Sequence, residues 1–105
     1  MVLNLIVGDY SMNLEVPEKY LKEADELYAM MDRDMDKGWQ MGREWVDSPD
    51  RLQRCQIAAD KLLDALETDN HRLALVAAGY ILTRLPGTTS VNIDNSGEMT
   101  GTTFA

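Results

Sequence analysis

The sequence predicts a mainly α-helical fold, a small three-helix bundle with extended arms at its N- and C-termini. Three observations lead to this prediction: a helical spacing of apolar residues between 17 and 46, a helix-start signal at 48–50, and an almost continuous apolar run within 71–85. Residues 1–87 are expected to form a helical domain with an N-terminal arm, and residues 88–105 a polar tail or hairpin. The arms could pair as a short β-sheet, and a disordered C-terminal tail is the alternative.

The first predicted helix follows an extended arm at residues 2–7 and runs from Pro17 to Val46. Proline is tolerated in the first turn of a helix, where its missing N–H has no partner to lose. Steps of three and four place the following apolar residues on one helix face: Tyr20, Leu21, Ala24, Leu27, Tyr28, Met31, Met35, Trp39, Trp45 and Val46. Gly38 and Gly42 each weaken a helix by about 1 kcal/mol relative to alanine, so a kink or break there stays open.

The second predicted helix begins at the sequence Ser48-Pro49-Asp50. Serine is a preferred N-cap, proline fits the first helical position, and an acid there complements the helix dipole. Ser48 is therefore predicted to cap a helix that ends near Thr68. The apolar face of this helix includes Cys55, which is expected to be buried as a small hydrophobic side chain.

The third predicted helix extends from about His71 to Leu85, after Thr68-Asp69-Asn70 has ended the second helix and capped the third. It is apolar on nearly every side, so it is expected to be central and the most buried element of the fold. Val76 and Ile81 are predicted to lie in the core, where a charged replacement would abolish folding.

The composition argues against several classes of partner. The chain has 105 residues, with 18 acidic side chains against 10 Lys and Arg, and a formal net charge of −8. A protein that binds duplexes neutralises phosphates with clustered cations, so neither nucleic acid nor an anionic membrane surface is an expected partner. The single cysteine excludes an intrachain disulfide, and no apolar run is long enough to cross a membrane. A cytoplasmic protein is therefore expected.

The segment from Asp32 to Glu44 begins with carboxylates at alternate positions, Asp32, Asp34 and Asp36, as a calcium-binding loop of the EF-hand type does. The glycine and the final glutamate that such a loop needs both come one residue late, at Gly38 and Glu44. A solvated helix face explains the same acids, because Asp32 and Asp36 are one helical turn apart. We expect no specific calcium binding and no cofactor. A metal-responsive or metal-carrying protein that uses the Asp32–Glu44 loop is the alternative function.

The sequence contains no arrangement of residues that indicates catalysis. Cys55 is not part of a Cys-x-x-Cys motif, and His71 is the only histidine, so no site with several histidines can form. No nucleophile elbow accompanies His71. The protein is therefore predicted not to be an enzyme.

Methionine and tryptophan side chains are concentrated in the C-terminal half of the first predicted helix. Most are expected to pack in the core, but Met30 and Met41 lie off its main apolar face. With Trp39 and Trp45 they are the predicted partner-binding residues, because such side chains commonly anchor adaptable interfaces. The leading hypothesis is a non-enzymatic protein-interaction domain, an adaptor, regulator or small subunit, that docks through this helix-one region. Its partner would be another protein, or a second copy of the chain in a homodimer.

Overall fold

The computed structural model describes residues 1–105 and shows an α/β fold, so the predicted three-helix bundle is wrong. Along the chain the elements are β1 (Val2–Val7), β2 (Tyr10–Glu15), α1 (Lys19–Lys22), α2 (Asp25–Asp36), β3 (Trp39–Met41), β4 (Glu44–Val46), α3 (Arg51–Glu67), α4 (His71–Arg84), β5 (Ser90–Asn92), a 3₁₀ turn (Met99–Gly101) and β6 (Thr103–Phe104). The two longest helices lie in the middle of the chain, and the strands of the main sheet come from its two ends.

The main sheet has four strands in the order β2-β1-β5-β6. β1 pairs antiparallel with β2 through the tight turn at Gly8-Asp9, and parallel with β5, where Asn4 lies opposite Ser90. β6 completes the sheet by pairing antiparallel with β5. The N-terminal arm and two short strands of the segment 88–105 therefore belong to one sheet, in which β2 and β6 are the edge strands.

The helices cover one face of this sheet. Along β1, Leu3 and Leu5 are fully buried whereas Val2 is 48% exposed, because successive side chains of a strand point to opposite faces. The buried strand residues, together with Ile93 just after β5, share one hydrophobic core with residues of the two long helices: Leu3, Leu5, Leu14 and Val91 with Cys55, Ile57, Leu62, Ala78 and Ile81. The result is a two-layer α/β arrangement.

The helix predicted from Pro17 to Val46 is not continuous. It is replaced by the short α1, by α2, and by a β-hairpin made of β3 and β4. Gly38 ends the helical course because its φ is +99°, and a side chain there would overlap the ring of Trp45. Gly42, with a φ of +65°, makes the turn between the two strands. The break left open at the glycines is therefore present, and the apolar residues beyond it lie on strands.

α3 begins later than predicted, and its N-cap is Asp50, so the prediction for Ser48 is wrong. The Asp50 carboxylate accepts a hydrogen bond from the Gln53 amide at 2.8 Å, and the Gln53 side chain accepts one from the Asp50 amide at 2.9 Å. This reciprocal capping box satisfies backbone donors that have no partner inside the helix. The end of the helix agrees with the sequence prediction, since Thr68 is its C-cap.

Asp50→Ala is expected to lower the free energy of unfolding by about 1 kcal/mol, because it removes the acceptor of the Gln53 amide. Ser48→Ala is expected to have little effect, since Ser48 is exposed and lies outside the capping box. Urea denaturation followed by circular dichroism measures both variants. Equal losses from the two substitutions would contradict the assignment of the cap.

α4 is the most buried of the helices, as predicted, and Asn70 is its N-cap, accepting a hydrogen bond from the Leu73 amide at 3.2 Å. Ile81 is fully buried, but Val76 is only partly buried and lines cavities at the surface. Val76 therefore packs against the core from its edge, and of the two residues only Ile81 lies inside it. The side of the helix that carries Val76 also carries Arg72 and Leu73, which are exposed.

Candidate functional site

The structure does not gather the four predicted partner-binding residues into one patch. Met30 on α2 and Trp45 on β4 are 52% and 56% exposed, but Met41 on β3 is 3% exposed and belongs to the core. Trp39 is partly buried, with the ammonium group of Lys61 4.8 Å from the centre of its ring. Met30 and Trp45 are therefore the most accessible members of the set, whereas burial removes Met41 from any surface contact.

A cluster of polar and charged side chains joins α2, α3 and α4. The Asp32 carboxylate on α2 accepts hydrogen bonds from Arg54 on α3 at 3.3 Å, from Arg84 on α4 at 2.8 Å, and from the hydroxyl of Tyr80 on α4. Arg54 also donates to Asp36, and the guanidinium of Arg84 lies 5.1 Å from the ring centre of Tyr80. We call Asp32, Arg54, Tyr80 and Arg84 the Asp32 cluster.

The Asp32 carboxylate is held in its ionised form. Burial opposes ionisation, but hydrogen bonds from Tyr80, Arg84 and Arg54 outweigh it and hold the pKa of Asp32 below its ordinary value. Burial and the neighbouring carboxylate raise the pKa of Tyr80, whose hydroxyl therefore stays protonated as a donor. Since both of its oxygens are engaged, Asp32 ties three helices together and is not free to act as a base.

The segment that suggested a calcium loop, Asp32 to Glu44, runs from the end of α2 through β3 to the start of β4, and its three aspartates lie on α2. Asp32 and Asp36 both pair with Arg54, while Asp34 is exposed. In the whole chain, no group of three or more His, Cys, Asp or Glu side chains is arranged to hold a metal ion. The acids therefore belong to a helix face, which was the other explanation for their spacing.

The two residues considered for catalysis lie in different environments. Cys55 is fully buried on α3, where burial raises the pKa of its thiol to about 12, so the reactive thiolate does not form at neutral pH. His71 is exposed in the first turn of α4. Cys55 thus packs as a small hydrophobic side chain, as predicted.

An apolar groove of about 450 Å³ lies between the β1–β2 hairpin and α3. Its lining comes from both strands and from the C-terminal half of the helix: Leu5, Val7, Tyr10, Met12, Leu63, Leu66 and Glu67. Tyr10 is 63% exposed, so part of this apolar lining is in contact with solvent. We call this feature the β2 groove, because it lies beside the edge strand β2.

The strand beside this groove has a free edge. In an antiparallel pair, backbone groups point alternately toward the partner strand and away from it. The Val16 amide donates to the Met1 oxygen across the pair at 2.7 Å, which sets this alternation along β2. The N–H and C=O groups of Ser11, Asn13 and Glu15 consequently point away from β1, on the side where no further strand pairs. β2 therefore carries backbone donors and acceptors along its outer side.

Few features of the sequence protect this edge from pairing. Proteins commonly block an edge strand with a proline, a lysine or a bulge. In β2 the register with β1 is unbroken, proline occurs only after the strand, at Pro17, and the one charged residue is Glu15 at its end. An extended segment can therefore approach most of the strand.

Acidic side chains on α3 flank the β2 groove. Asp60, Asp64 and Glu67 follow one another at helical spacing, and Glu67 itself lines the groove. None of the three belongs to an ion pair within the chain. Burial raises the pKa of Asp60, and the negative charges of Asp64 and Glu67 raise it further. We call these three residues the acidic stripe, a negative surface that the chain itself does not neutralise.

A second apolar surface joins α2 and α4. Two adjoining cavities of about 320 and 290 Å³ share Leu27, Arg72 and Val76 in their lining. Leu27 and Leu73 are 40% and 38% exposed, and Met30 lies one helical turn beyond Leu27 on α2. Met30 is the one predicted partner-binding residue on α2, and it lies beside this α2–α4 surface.

The sequence prediction missed both the edge of β2 and the Asp32 cluster. The alternation of Tyr10, Met12 and Leu14 after a two-residue turn is a hairpin signal that could have revealed the strand. The Asp32 cluster offers no such signal, because Arg54 and Arg84 are 22 and 52 positions from Asp32 in the chain.

Comparison with known proteins identifies no relative of this chain. No protein-family model, no curated protein and no solved structure matches it. None of its helices combines the length and the apolar character needed to cross a membrane.

Proposed function

We propose that the protein is a non-enzymatic protein-interaction domain that binds an extended segment of a partner protein along β2. The observation that carries this proposal is the free edge of β2 beside the β2 groove. A strand added to a sheet edge gains main-chain hydrogen bonds, while pockets beside the edge select its side chains. Here Ser11, Asn13 and Glu15 supply the hydrogen-bonding groups, and the groove receives an apolar side chain.

The main-chain hydrogen bonds and the burial of an apolar side chain are together large enough to produce measurable binding. Each main-chain hydrogen bond contributes about 1 kcal/mol net, and burial of a side chain of the size of valine or leucine contributes about 2 kcal/mol. The cost of ordering an extended segment opposes both contributions. Affinity of roughly micromolar strength is therefore expected for a single segment.

The charge of the chain favours a basic partner. The net charge is −8, and the acidic stripe beside the groove has no cation of its own. A segment with an apolar residue and a Lys or Arg two positions apart presents both on the face of the strand that lies over the groove, and its cation would then lie near Asp64 and Glu67. A second copy of the chain would bring like charges together, and such juxtaposition is unfavourable. The proposed partner is therefore a different protein.

The same properties support the proposed location and argue against other partners. Cys55 is a buried free thiol, and thiols remain reduced in the cytoplasm, so we place the protein there. The excess of acidic side chains opposes binding to nucleic acid and to anionic membranes.

An extended peptide in which every second residue is alternately valine and lysine, with threonine between them, presents valine and lysine on one face and tests the proposal by NMR titration. The amide signals of Ser11, Asn13 and Glu15 are expected to shift most, and their hydrogen exchange to slow. Asn13→Pro removes an outward N–H without breaking a β1–β2 hydrogen bond, so it is expected to weaken binding about tenfold or more. Asn13→Thr keeps the amide and is the matched control. A peptide with glutamate in place of lysine is the control for charge.

Several outcomes would contradict the proposal. Equal affinity of Asn13→Pro and Asn13→Thr would exclude strand addition at β2. Equal affinity for the lysine and glutamate peptides would exclude a basic partner. Shifts confined to Leu27, Leu73 and Val76 would assign docking to the α2–α4 surface instead. Dimerisation of the pure protein that Asn13→Pro abolishes, measured by sedimentation, would make a second copy the occupant of the edge.

A further inference from the structure

Two cavities meet at a pair of arginines between the start of α3 and the end of α4. The first, of about 350 Å³, is lined mainly by polar and charged residues: Asp32, Pro49, Arg51, Arg54, Tyr80 and Arg84. The second, of about 550 Å³, has apolar lining from Leu52, Leu85 and Phe104. Arg51 and Arg84 line both cavities, so they lie where the cavity with polar and charged lining meets the cavity with partly apolar lining.

The first cavity has three arginines, Arg51, Arg54 and Arg84. Their hydrogen bonds leave N–H donors free at Arg51 and Arg84. Arg54 directs its guanidinium nitrogens to carboxylate and carbonyl oxygens of its surroundings. Arg84 donates through Nη2 to Asp32, and its Nε and Nη1 have no hydrogen-bond partner in the chain. Arg51 is exposed and belongs to no ion pair. The donors available to a ligand are therefore those of Arg51 and the unused side of Arg84.

We propose that Arg51 and Arg84 bind the phosphate or carboxylate group of a small molecule whose apolar part lies against Leu52, Leu85 and Phe104. A guanidinium recognises both oxyanions through parallel N–H donors, and charge assistance makes these hydrogen bonds stronger than neutral ones. Both cavities are open to solvent, so a ligand would be held along one side only. The site shares no residue with the β2 groove, so it is independent of strand addition.

The charges around the two cavities balance, although the whole chain is acidic. Asp32 and Asp36 are paired with Arg54 and Arg84, and Asp50, next to Arg51 in the chain, directs its carboxylate to the Gln53 amide. The guanidinium of Arg51 forms no ion pair, so its donors are open to an anion. Asp32 also fixes the orientation of Arg84, so that this guanidinium is held in place before a ligand arrives.

NMR titration with phenyl phosphate, benzoate, inorganic phosphate and benzyl alcohol tests the proposed site. Phenyl phosphate or benzoate is expected to bind saturably and to shift the signals of Leu52, Leu85 and Thr88. Inorganic phosphate should bind more weakly, and uncharged benzyl alcohol should not bind. Arg51→Gln is expected to lower the affinity about tenfold. Arg43→Gln, an exposed position outside both cavities, makes the same change in net charge and should leave the affinity unchanged.

The relative affinities for phenyl phosphate and benzoate also define the ligand class. Stronger binding of phenyl phosphate assigns a phosphate ligand, and stronger binding of benzoate assigns a carboxylate. Equal losses in Arg51→Gln and Arg43→Gln would reveal a general effect of net charge and would overturn the site. Equal binding of benzyl alcohol, or no saturable binding of either aromatic anion, would overturn it as well.

Discussion

An Asp32→Ala variant is expected to lose about 2 kcal/mol of unfolding free energy, because the substitution leaves two partly buried guanidinium groups and a hydroxyl without their acceptor. The donors concerned are Arg54, Arg84 and Tyr80. Removing one partner of a fully buried ion pair costs about 3–5 kcal/mol. The Asp32 side chain is 27% exposed, so solvent screening reduces that cost. Urea denaturation at neutral pH measures the loss.

The pH dependence of this loss separates the ion pairs from simple packing. The pKa of Asp32 is lower in the folded protein than in the unfolded chain, where it is about 3.9. Ionised Asp32 therefore stabilises the fold above that pH, and the contribution is lost as the pH falls through the lower folded pKa. The stability difference between wild type and Asp32→Ala should be full at neutral pH and should shrink below about pH 4.

A neighbouring residue on the same helix provides the control. Asp34 is exposed and forms no ion pair, so Asp34→Ala should change the free energy of unfolding by no more than about 0.5 kcal/mol. A loss as large as that of Asp32→Ala would show that any acid removed from α2 has this effect. A loss in Asp32→Ala that does not diminish in acid would show that the carboxylate acts through packing alone.

The two long helices could be predicted from the sequence because their signals are local. The apolar run of α4 and the Asn70 cap involve contacts within a few residues, and the structure places both as expected. The start of α3 was misplaced for an equally local reason. Ser48 and Asp50 are both good caps, and only the capping box between Asp50 and Gln53 decides between them.

The sheet could be predicted only in part. The hairpin of β1 and β2 has an apolar run before Gly8-Asp9 and alternating apolar residues after it, a pattern that favours paired strands. The parallel pairing of β1 with β5 has no comparable signal, because Asn4 and Ser90 are 86 positions apart. In the sequence, α3 and α4 lie between these two strands. The order of the strands therefore depends on how the two helices pack against the sheet.

The error between residues 39 and 46 shows how a periodic pattern can mislead. Trp39, Trp45 and Val46 continue helical steps of three and four, yet they lie on a hairpin in which Trp39 is opposite Val46. The positive φ of Gly38 prevents the helix from continuing. Because the partner-binding prediction assumed one helix, it grouped Met41 with Met30, although Met41 packs in the core.

Gly79→Ala is expected to lower the free energy of unfolding by about 2 kcal/mol, although alanine is the better helix former. A Cβ at this position of α4 would overlap the Tyr28 hydroxyl and lie 2.9 Å from the Tyr20 carbonyl oxygen. The Tyr28 hydroxyl donates to that oxygen at 2.7 Å, and burial raises the pKa of Tyr28 to about 12, so the donor remains protonated. Overpacking a core costs about 1–3 kcal/mol, and disturbing this hydrogen bond adds to it, whereas the gain in helix propensity is only about 1 kcal/mol.

A double-mutant cycle with Tyr28→Phe tests whether the hydroxyl is the source of the cost. Tyr28→Phe alone should cost about 1 kcal/mol, because it removes the hydrogen bond to Tyr20. It also removes the atom that a Cβ at Gly79 would overlap, so Gly79→Ala should cost less in the Tyr28→Phe background, by about 1 kcal/mol. Part of the cost should remain, since the Tyr20 carbonyl is backbone and cannot move aside as a side chain can. If the two substitutions prove additive, the close packing of α4 against Tyr28 is not what requires glycine at this position.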